Sequence, residues 1–167
     1  MGDMWRKNAE RHGIKLFAPN GLGRGWFQDS DNTMLPKLIE EIKKDSAVDP
    51  ARIYLFGHSD GATAALTHAA LNSEMLAAVA IHAGAIRDES HLAAIKGAKR
   101  KIPYCIFTGT YDAIFPLETV RHAARLIAYE GHDTVFTELA GHNHWYYTLA
   151  DWINEAAWNC MTSLSAK

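Results

Sequence analysis

The segment that most constrains the fold runs from residue 52 to residue 66 and reads RIYLFGHSDGATAAL. Arg52–Phe56 is rich in β-branched and aromatic residues, a composition typical of a buried strand. The alanine-rich stretch that begins at Ala62 predicts a helix with side chains small enough to pack closely against a sheet. Only five residues, Gly57 to Gly61, join the two. A strand pattern followed so closely by a helix pattern predicts a sheet that is covered by helices.

The joining turn has the pattern Gly-x-Ser-x-Gly, with Ser59 at its centre. Between a strand and a helix, this pattern lifts the serine hydroxyl clear of the sheet at a helix N-terminus, where free backbone N–H groups favour negative charge. The amide of Asp60, directly after the serine, is the expected donor to such a charge. A short Gly/Ser segment is also compatible with an ordinary turn. The pattern therefore makes Ser59 a candidate nucleophile.

The rest of the chain alternates between strand and helix patterns. The predicted strands are Ile14–Ala18, Arg52–Phe56, Ala77–Ile81, Tyr104–Thr108 and Thr134–Leu139. In addition to the helix that follows Ser59, the predicted helices are Trp5–His12, Met34–Lys44, Glu89–Ala98, Leu117–Tyr129 and Tyr146–Leu164. This alternation predicts an α/β fold with a mostly parallel sheet of about five strands and helices on both faces. We expect residues 1–167 to form a single domain.

Composition argues against several classes of partner. The chain has 167 residues, 48% of them hydrophobic, and a formal net charge of −2, so nucleic acid and membrane surfaces are poor partners. The N-terminus lacks the apolar core of a signal peptide, which agrees with a cytoplasmic location but leaves the compartment open. Cys105 falls in a predicted strand and Cys160 in the last helix. We expect both to be buried thiols.

In parallel α/β sheets, catalytic and binding residues lie at the carboxyl ends of the strands. Asp112 follows one predicted strand and His144 follows the last one, so the chain offers Ser, Asp and His in that order. A serine hydroxyl needs a base, and the base needs a carboxylate to orient it. Alternatives remain: Asp112 is also suited to open a turn, and His142 competes with His144 as the base. The His-x-His pair also suggests a metal, but no third ligand lies at a useful spacing.

Three segments together resemble the α/β-hydrolase superfamily, in particular carboxylesterases of the polyhydroxybutyrate depolymerase and feruloyl esterase type. They read VDPARIYLFGHSDGATAAL, FTGTYDAIFP and ELAGHNHWYY. The resemblance implies Ser59 as nucleophile, Asp112 as acid and His144 as base. It also implies a small or polymeric ester substrate, an acyl-enzyme intermediate, and no metal or organic cofactor. Trp26 and Trp145 are candidate walls of the substrate pocket.

The chain departs from that family at its N-terminal side. Such hydrolases have three further strands before the segment where this sequence starts, and a glycine-rich loop after the third supplies a second oxyanion N–H. Nothing here matches that loop, so the resemblance implies a truncated hydrolase with weak activity. Gly23, Gly25 or an amide near Met1 are the replacements the sequence offers. The unpaired strand edge is one that a homodimer would cover.

Further expectations concern the function and two other histidines. A peptidase or thioesterase would use the same triad, and a catalytically silent module for interaction or structure is an alternative of a different class. We expect the His58 side chain to point away from the site. His82 is expected to pack or hydrogen-bond near it.

Overall fold

The computed structural model describes residues 1–20, 26 and 29–165, with only the backbone of residues 29–32. Its strands are β1 (Tyr54–His58), β2 (Ala78–His82), β3 (Tyr104–Gly109) and β4 (Thr134–Leu139). Its helices are α1 (Gly2–His12), α2 (Asp29–Lys43), α3 (Asp60–Leu71), α4 (Glu89–Lys96), α5 (Leu117–Tyr129) and α6 (Ala150–Ser165). A short 3₁₀ turn, Tyr146–Thr148, precedes α6.

The four strands form one parallel sheet in the order β1-β2-β3-β4. Parallel neighbours end at the same edge, so the loops after β1, β3 and β4 gather there. Those loops carry Ser59, Asp112 and His144, the three residues the sequence singles out. The predicted α/β class is confirmed, and the topology brings distant parts of the chain to one edge.

Alternate residues of each strand pack on opposite faces of the sheet, as the pleat requires. Val79 and Ile81 of β2 belong to the larger core, formed with α2, α3, α4 and α5. Ala78 and Ala80 face the other way, into a core with Trp5 of α1 and residues of α6. Both faces of the central strands are buried, which explains why they read as continuous apolar runs.

The prediction of a strand at Ile14–Ala18 is wrong: these residues have no regular secondary structure. A strand needs a neighbour with free backbone groups, and a cavity of about 540 Å³ lies between this segment and β1. Leu16 and Phe17 are 42% and 47% exposed. The described sheet therefore has four strands rather than about five.

Most other boundaries fall within about three residues of the predicted ones, but α2 begins at Asp29, before the predicted start at Met34. The bounds of α5 and β4 agree with the sequence patterns, whereas the predicted last helix is divided into the 3₁₀ turn and α6. The division places His144, Trp145 and Tyr146 in an irregular segment beside the sheet.

Cys105 and Cys160 form a disulfide, so the expectation of two buried thiols is wrong. Cys105 belongs to the face of β3 that packs against α6, and Cys160 lies on α6. Their separation of 55 residues gives no hint of this pairing, which depends on the crossing of α6 over the sheet. The disulfide ties the last helix to the centre of the sheet.

Candidate active site

Ser59 occupies the turn between β1 and α3 with a backbone φ of 58° and ψ of −125°. A non-glycine residue in this region is strained by about 1–3 kcal/mol, and its neighbours must hold it there. The Ser59 amide donates to the carbonyl oxygen of His82 at 3.1 Å, and its carbonyl accepts from Ala62 at 2.9 Å. A Cβ on Gly57 would lie 2.1 Å from the Gly61 carbonyl oxygen. Glycine at position 57 is therefore required for this turn.

Gly61, the second glycine of the pattern, does not have the same steric role. A Cβ added there would meet no atom within 4 Å. Of the two glycines in the Gly-x-Ser-x-Gly pattern, the surrounding atoms therefore require only Gly57 to lack a side chain.

The three predicted side chains form one hydrogen-bonded series. His144 Nε2 lies 2.9 Å from Ser59 Oγ, and His144 Nδ1 lies 2.9 Å from Asp112 Oδ2. The side chains of His144 and Asp112 are 9% and 0% exposed. Nδ1–H donation to Asp112 leaves Nε2 unprotonated toward the hydroxyl, as a general base requires. His144 has this position, and His142 does not contact Ser59 or Asp112 by a hydrogen bond.

Asp112 is fixed by the backbone of its own loop. Its Oδ1 accepts hydrogen bonds from the amides of Ile114 at 2.9 Å and Phe115 at 2.8 Å. Burial alone would raise the pKa of Asp112, but hydrogen bonds from the Phe115 amide, His144 and the Ile114 amide outweigh it and lower the pKa. The carboxylate is therefore ionised at neutral pH. The Asp112 side chain therefore has both roles: it forms the turn, as the sequence allowed, and it contacts His144.

The loop after β4 is held against the loop after β3. A Cβ on Gly109 would lie 2.2 Å from the His142 carbonyl oxygen, which also accepts from the Tyr111 amide at 2.9 Å. The Gly141 amide donates to Thr110 Oγ1 at 2.9 Å. These contacts set the position of His144 relative to Asp112.

Three further histidines lie around the series. The His58 ring stands 4.9 Å from the His144 ring, and His58 Nδ1 is 2.9 Å from His82 Nδ1. The expectation that His58 points away is therefore wrong, while His82 does hydrogen-bond beside the site. The His142 ring packs 5.2 Å from that of His82. One feature distinguishes His58 and His82 from the other histidines: each lies at the carboxyl end of a strand, at the edge of the sheet that holds the site.

Burial decides the charge of these histidines. It lowers the pKa of His58 to about 4, with a further contribution from the charge of His144. Burial likewise lowers the pKa of His82 to about 3, with a further contribution from the charge of His58. Burial also lowers the pKa of His142. All three are neutral at pH 7, so the polar cluster adds no positive charge beside Ser59.

Asp60 and Arg87 form an ion pair next to the nucleophile. Arg87 Nη2 donates to Asp60 Oδ1 at 2.7 Å, and the guanidinium lies 5.0 Å from the centre of the Phe115 ring. The Phe115 ring stacks on His144 with centroids 5.8 Å apart. The amide of Asp60 belongs to the first turn of α3, where no helical carbonyl accepts it. Arg87 was not singled out by the sequence, since no motif contains it.

The two tryptophans proposed as pocket walls lie in different places. Trp145 is 58% exposed, with its ring 6.0 Å from that of His144. Trp26 lines the cavity beside β1, which also borders His58. Gly23 and Gly25 lie outside the described residues. Only Trp145 therefore stands beside the Ser59–His144 pair.

Two absences hold among the described residues. No three or more His, Cys, Asp or Glu side chains there form a group that would hold a metal ion. Within the same residues, no helix is both long and apolar enough to span a membrane.

The fold is similar to that of solved hydrolases. Arabidopsis thaliana SOBER1 is 18% identical with a TM-score of 0.63, covering 75% of this chain and 62% of its own. An S-formylglutathione hydrolase from Agrobacterium tumefaciens is 20% identical with a TM-score of 0.56, covering 78% of this chain and 56% of its own. Esterase PE8 is 21% identical with a TM-score of 0.65, covering 88% of this chain and 68% of its own. This chain thus spans less than two thirds of the first two structures.

At the level of sequence, no curated protein matches the chain. The family model described as phospholipase/carboxylesterase, however, matches residues 18–155. That range includes β1 to β4 and the residues Ser59, Asp112 and His144. Because the match covers most of the sequence and the fold agrees with it, the chain belongs to the phospholipase/carboxylesterase family of α/β-hydrolases.

Proposed function

We propose that this protein is a serine carboxylesterase that cleaves carboxylic esters through an acyl-enzyme on Ser59. The observation that carries the proposal is the unbroken hydrogen-bonded series from Ser59 Oγ through His144 to Asp112, with 2.9 Å at each step. Such a series supplies what a serine nucleophile needs at neutral pH: a base within reach and a carboxylate that orients the base.

In the acylation step, Ser59 Oγ attacks the ester carbonyl carbon while its proton passes to His144 Nε2. The carbonyl oxygen becomes an oxyanion, and the amide of Asp60 is the proposed donor to it. When the tetrahedral intermediate collapses, the bond to the alcohol oxygen breaks and His144 returns the proton to the departing alcohol. Ser59 is left as an acyl ester.

Deacylation repeats these steps with water as the nucleophile. His144 takes a proton from water, the hydroxide adds to the acyl carbon, and Ser59 Oγ leaves with that proton. Asp112 stabilises the imidazolium that forms in each half-reaction. Its lowered pKa keeps it charged for this role. No metal or organic cofactor takes part in the proposed mechanism.

Among the described residues we assign one oxyanion donor, the Asp60 amide, and on that basis we propose a weak activity. Removing one donor from an oxyanion hole typically lowers kcat by about 10²- to 10³-fold. We therefore expect turnover well below that of an enzyme with two such donors, but above that of a Ser59 variant.

For the substrate, we propose the esters that the sequence resemblance implies: hydroxybutyrate oligomers and aromatic acid esters. The exposed ring of Trp145 beside His144 supports an aromatic or extended apolar acyl group, since such a ring offers stacking area at the edge of the site. A panel of p-nitrophenyl acetate, methyl ferulate and a hydroxybutyrate trimer would rank these classes by kcat/KM.

The decisive test is the variant Ser59→Ala, with Ser163→Ala on the exposed face of α6 as the matched control. We expect Ser59→Ala to lose hydrolysis of p-nitrophenyl butyrate and labelling by a fluorophosphonate probe. Ser163→Ala should keep both. Activity of Ser59→Ala equal to the parent would refute the proposal, and a parent protein that the probe does not label would favour the silent module.

The same triad would also serve a thioesterase or a peptidase. Rates on matched ester, thioester and amide substrates separate the three, and we expect the ester to be cleaved fastest. A preference for the amide or thioester would replace the proposed substrate class while leaving Ser59 as nucleophile.

A further inference from the structure

The imidazole of His144 has aromatic rings beside it as well as its two hydrogen-bond partners. The Phe115 ring lies 5.8 Å from it, centroid to centroid, with an angle of 6° between the two planes. The His58 ring is closer, at 4.9 Å and 39°. A cation within about 6 Å of a ring centroid is attracted by the negative face of that ring. These contacts bear on catalysis because, in the proposed mechanism, His144 becomes a cation in both half-reactions.

Two of the neighbouring rings are poorly placed to stabilise that cation. The guanidinium of Arg87 lies 5.0 Å from the centre of the Phe115 ring, so this ring already interacts with a positive charge. The Trp145 ring is 6.0 Å from that of His144 but is 58% exposed, so water competes with it. His58 is the closest of the three rings to the imidazole, and it is partly buried.

The His58 ring is itself held by two further rings. Its Nδ1 lies 2.9 Å from His82 Nδ1, and the two rings stack with centroids 5.0 Å apart. It also stacks on Tyr146, with centroids 5.4 Å apart and planes at 26°. Tyr146 is fully buried, and its hydroxyl donates to Asn154 Oδ1 at 2.5 Å. Turning the His58 ring away from His144 would break these contacts.

The charge state of His58 suits a contact with a cation. Burial lowers the pKa of His58 to about 4, with a further contribution from the charge of His144, so the ring is neutral at pH 7. The other ionisable groups that act on His58 are His82 and His142, which are neutral, and the Asp112 carboxylate. A neutral ring attracts the cation on His144, whereas a charged ring would repel it.

We propose that His58 is a positioning residue for the general base, and that its ring face stabilises the imidazolium that forms on His144. This role rests on the proposed function, because it requires His144 to take a proton from Ser59 and from water. An interaction that strengthens as charge develops on His144 raises kcat rather than tightening the binding of substrate. Loss of a partly buried contact of this kind corresponds to roughly a tenfold loss of rate.

Two substitutions separate the ring face of His58 from its volume and from its hydrogen bond. His58→Phe keeps a ring but cannot hydrogen-bond to His82, whereas His58→Leu fills much of the space without a ring. His122→Leu, at an exposed position of α5, is the matched control for loss of an imidazole. Hydrolysis of p-nitrophenyl butyrate gives kcat and KM, with rates normalised to the sites that a fluorophosphonate probe labels.

We expect His58→Leu to lower kcat and kcat/KM by the same factor, about tenfold, since an interaction made only in the transition state lowers both equally. His58→Phe should keep kcat within threefold of the parent, and His122→Leu should match the parent. Circular dichroism checks the fold of each variant. His58→Met is the second ringless variant if His58→Leu does not fold.

A kcat for the ringless variants equal to that of the parent would overturn the proposal. So would a His58→Phe variant as slow as His58→Leu, because the hydrogen bond to His82 would then be what matters. A change confined to KM would likewise assign His58 to substrate binding instead. A parent protein that neither hydrolyses the ester nor reacts with the probe would refute the esterase, and this role of His58 with it, whereas an active parent with an unaffected His58→Leu refutes the role alone.

Discussion

The carbonyl oxygen of His142 lies so close to Gly109 that a Cβ there would stand 2.2 Å from it. This contact joins the end of β3, which carries the loop of Asp112, to the loop that carries His144. Any side chain at position 109 must push the two loops apart. The separation would act directly on the 2.9 Å hydrogen bond between Asp112 and His144.

The first prediction concerns Gly109→Ala. A shift of about 1 Å in a catalytic group lowers rates by about 10²-fold, and overpacking costs about 1–3 kcal/mol of stability. We expect the kcat of Gly109→Ala to fall by about 10²-fold while the protein still folds. Gly61→Ala is the matched control, because a methyl group there meets nothing within 4 Å. A kcat for Gly109→Ala within threefold of the parent would show that the loops adjust without cost.

Asp112→Asn tests the carboxylate separately from the shape of its loop. An asparagine Oδ1 can still accept from the Ile114 and Phe115 amides, so the turn should persist. The amide cannot hold His144 with its proton on Nδ1, nor can it stabilise an imidazolium. We expect kcat to fall by about 10⁴-fold with an unchanged circular dichroism spectrum. A loss of less than tenfold would mean that His144 works without Asp112.

The sequence predicts the grouping of Ser59, Asp112 and His144 better than it predicts what surrounds them, and the reason is physical. Ser59, Asp112 and His144 lie after strand patterns, and parallel strands end at one edge whatever the details of packing. The contact of His58 with His144 and the disulfide depend on how side chains cross between elements, which local patterns do not encode. The strand pattern at Ile14–Ala18 failed because a strand also needs a partner.

The disulfide between Cys105 and Cys160 predicts a large effect of reduction. Closing a loop of 55 residues lowers the entropy of the unfolded chain by an amount worth about 4 kcal/mol at 25 °C. We expect dithiothreitol, or the variant Cys160→Ser, to lower Tm by about 8–16 °C. Urea-unfolded protein without reductant should show no free thiol toward Ellman's reagent. Two free thiols under those conditions would mean that the bond does not form in solution.

The buried histidines predict that acid destabilises the fold. Burial lowers the pKa of His58 to about 4 and that of His82 to about 3, against an ordinary value near 6.5. Between about pH 6.5 and these lower values, the unfolded chain binds protons that the folded protein does not. Stability therefore rises with pH across this window and is lost as the pH falls through it.

Urea unfolding at several values between pH 7 and pH 4.5 measures this proton uptake. We expect the variant His82→Gln to take up about one proton fewer on unfolding than the parent. His122→Gln, at an exposed position of α5, is the matched control for the loss of an imidazole. An unchanged slope in His82→Gln would contradict the buried, neutral state of His82.

The last prediction concerns Arg87 and Asp60. The Asp60 carboxylate sits on the residue whose amide is the proposed oxyanion donor, and Arg87 neutralises it at 2.7 Å. An unpaired carboxylate there would oppose the negative charge that develops on the substrate oxygen. The side chains of Arg87 and Asp60 are 44% and 60% exposed. We therefore expect the loss of this ion pair to raise the activation free energy by no more than a surface ion pair is worth, up to about 1 kcal/mol.

A double-mutant cycle isolates this effect from packing on Phe115. Arg87→Met keeps apolar contact with the ring but removes the charge, and we expect kcat to fall by roughly threefold to fivefold at low salt. Adding Asp60→Asn should restore kcat to within twofold of the parent, since no carboxylate is then left unpaired. Added salt should narrow the gap between Arg87→Met and the parent. If the double variant is as slow as Arg87→Met, Arg87 supports the site through its contact with Phe115 rather than through charge.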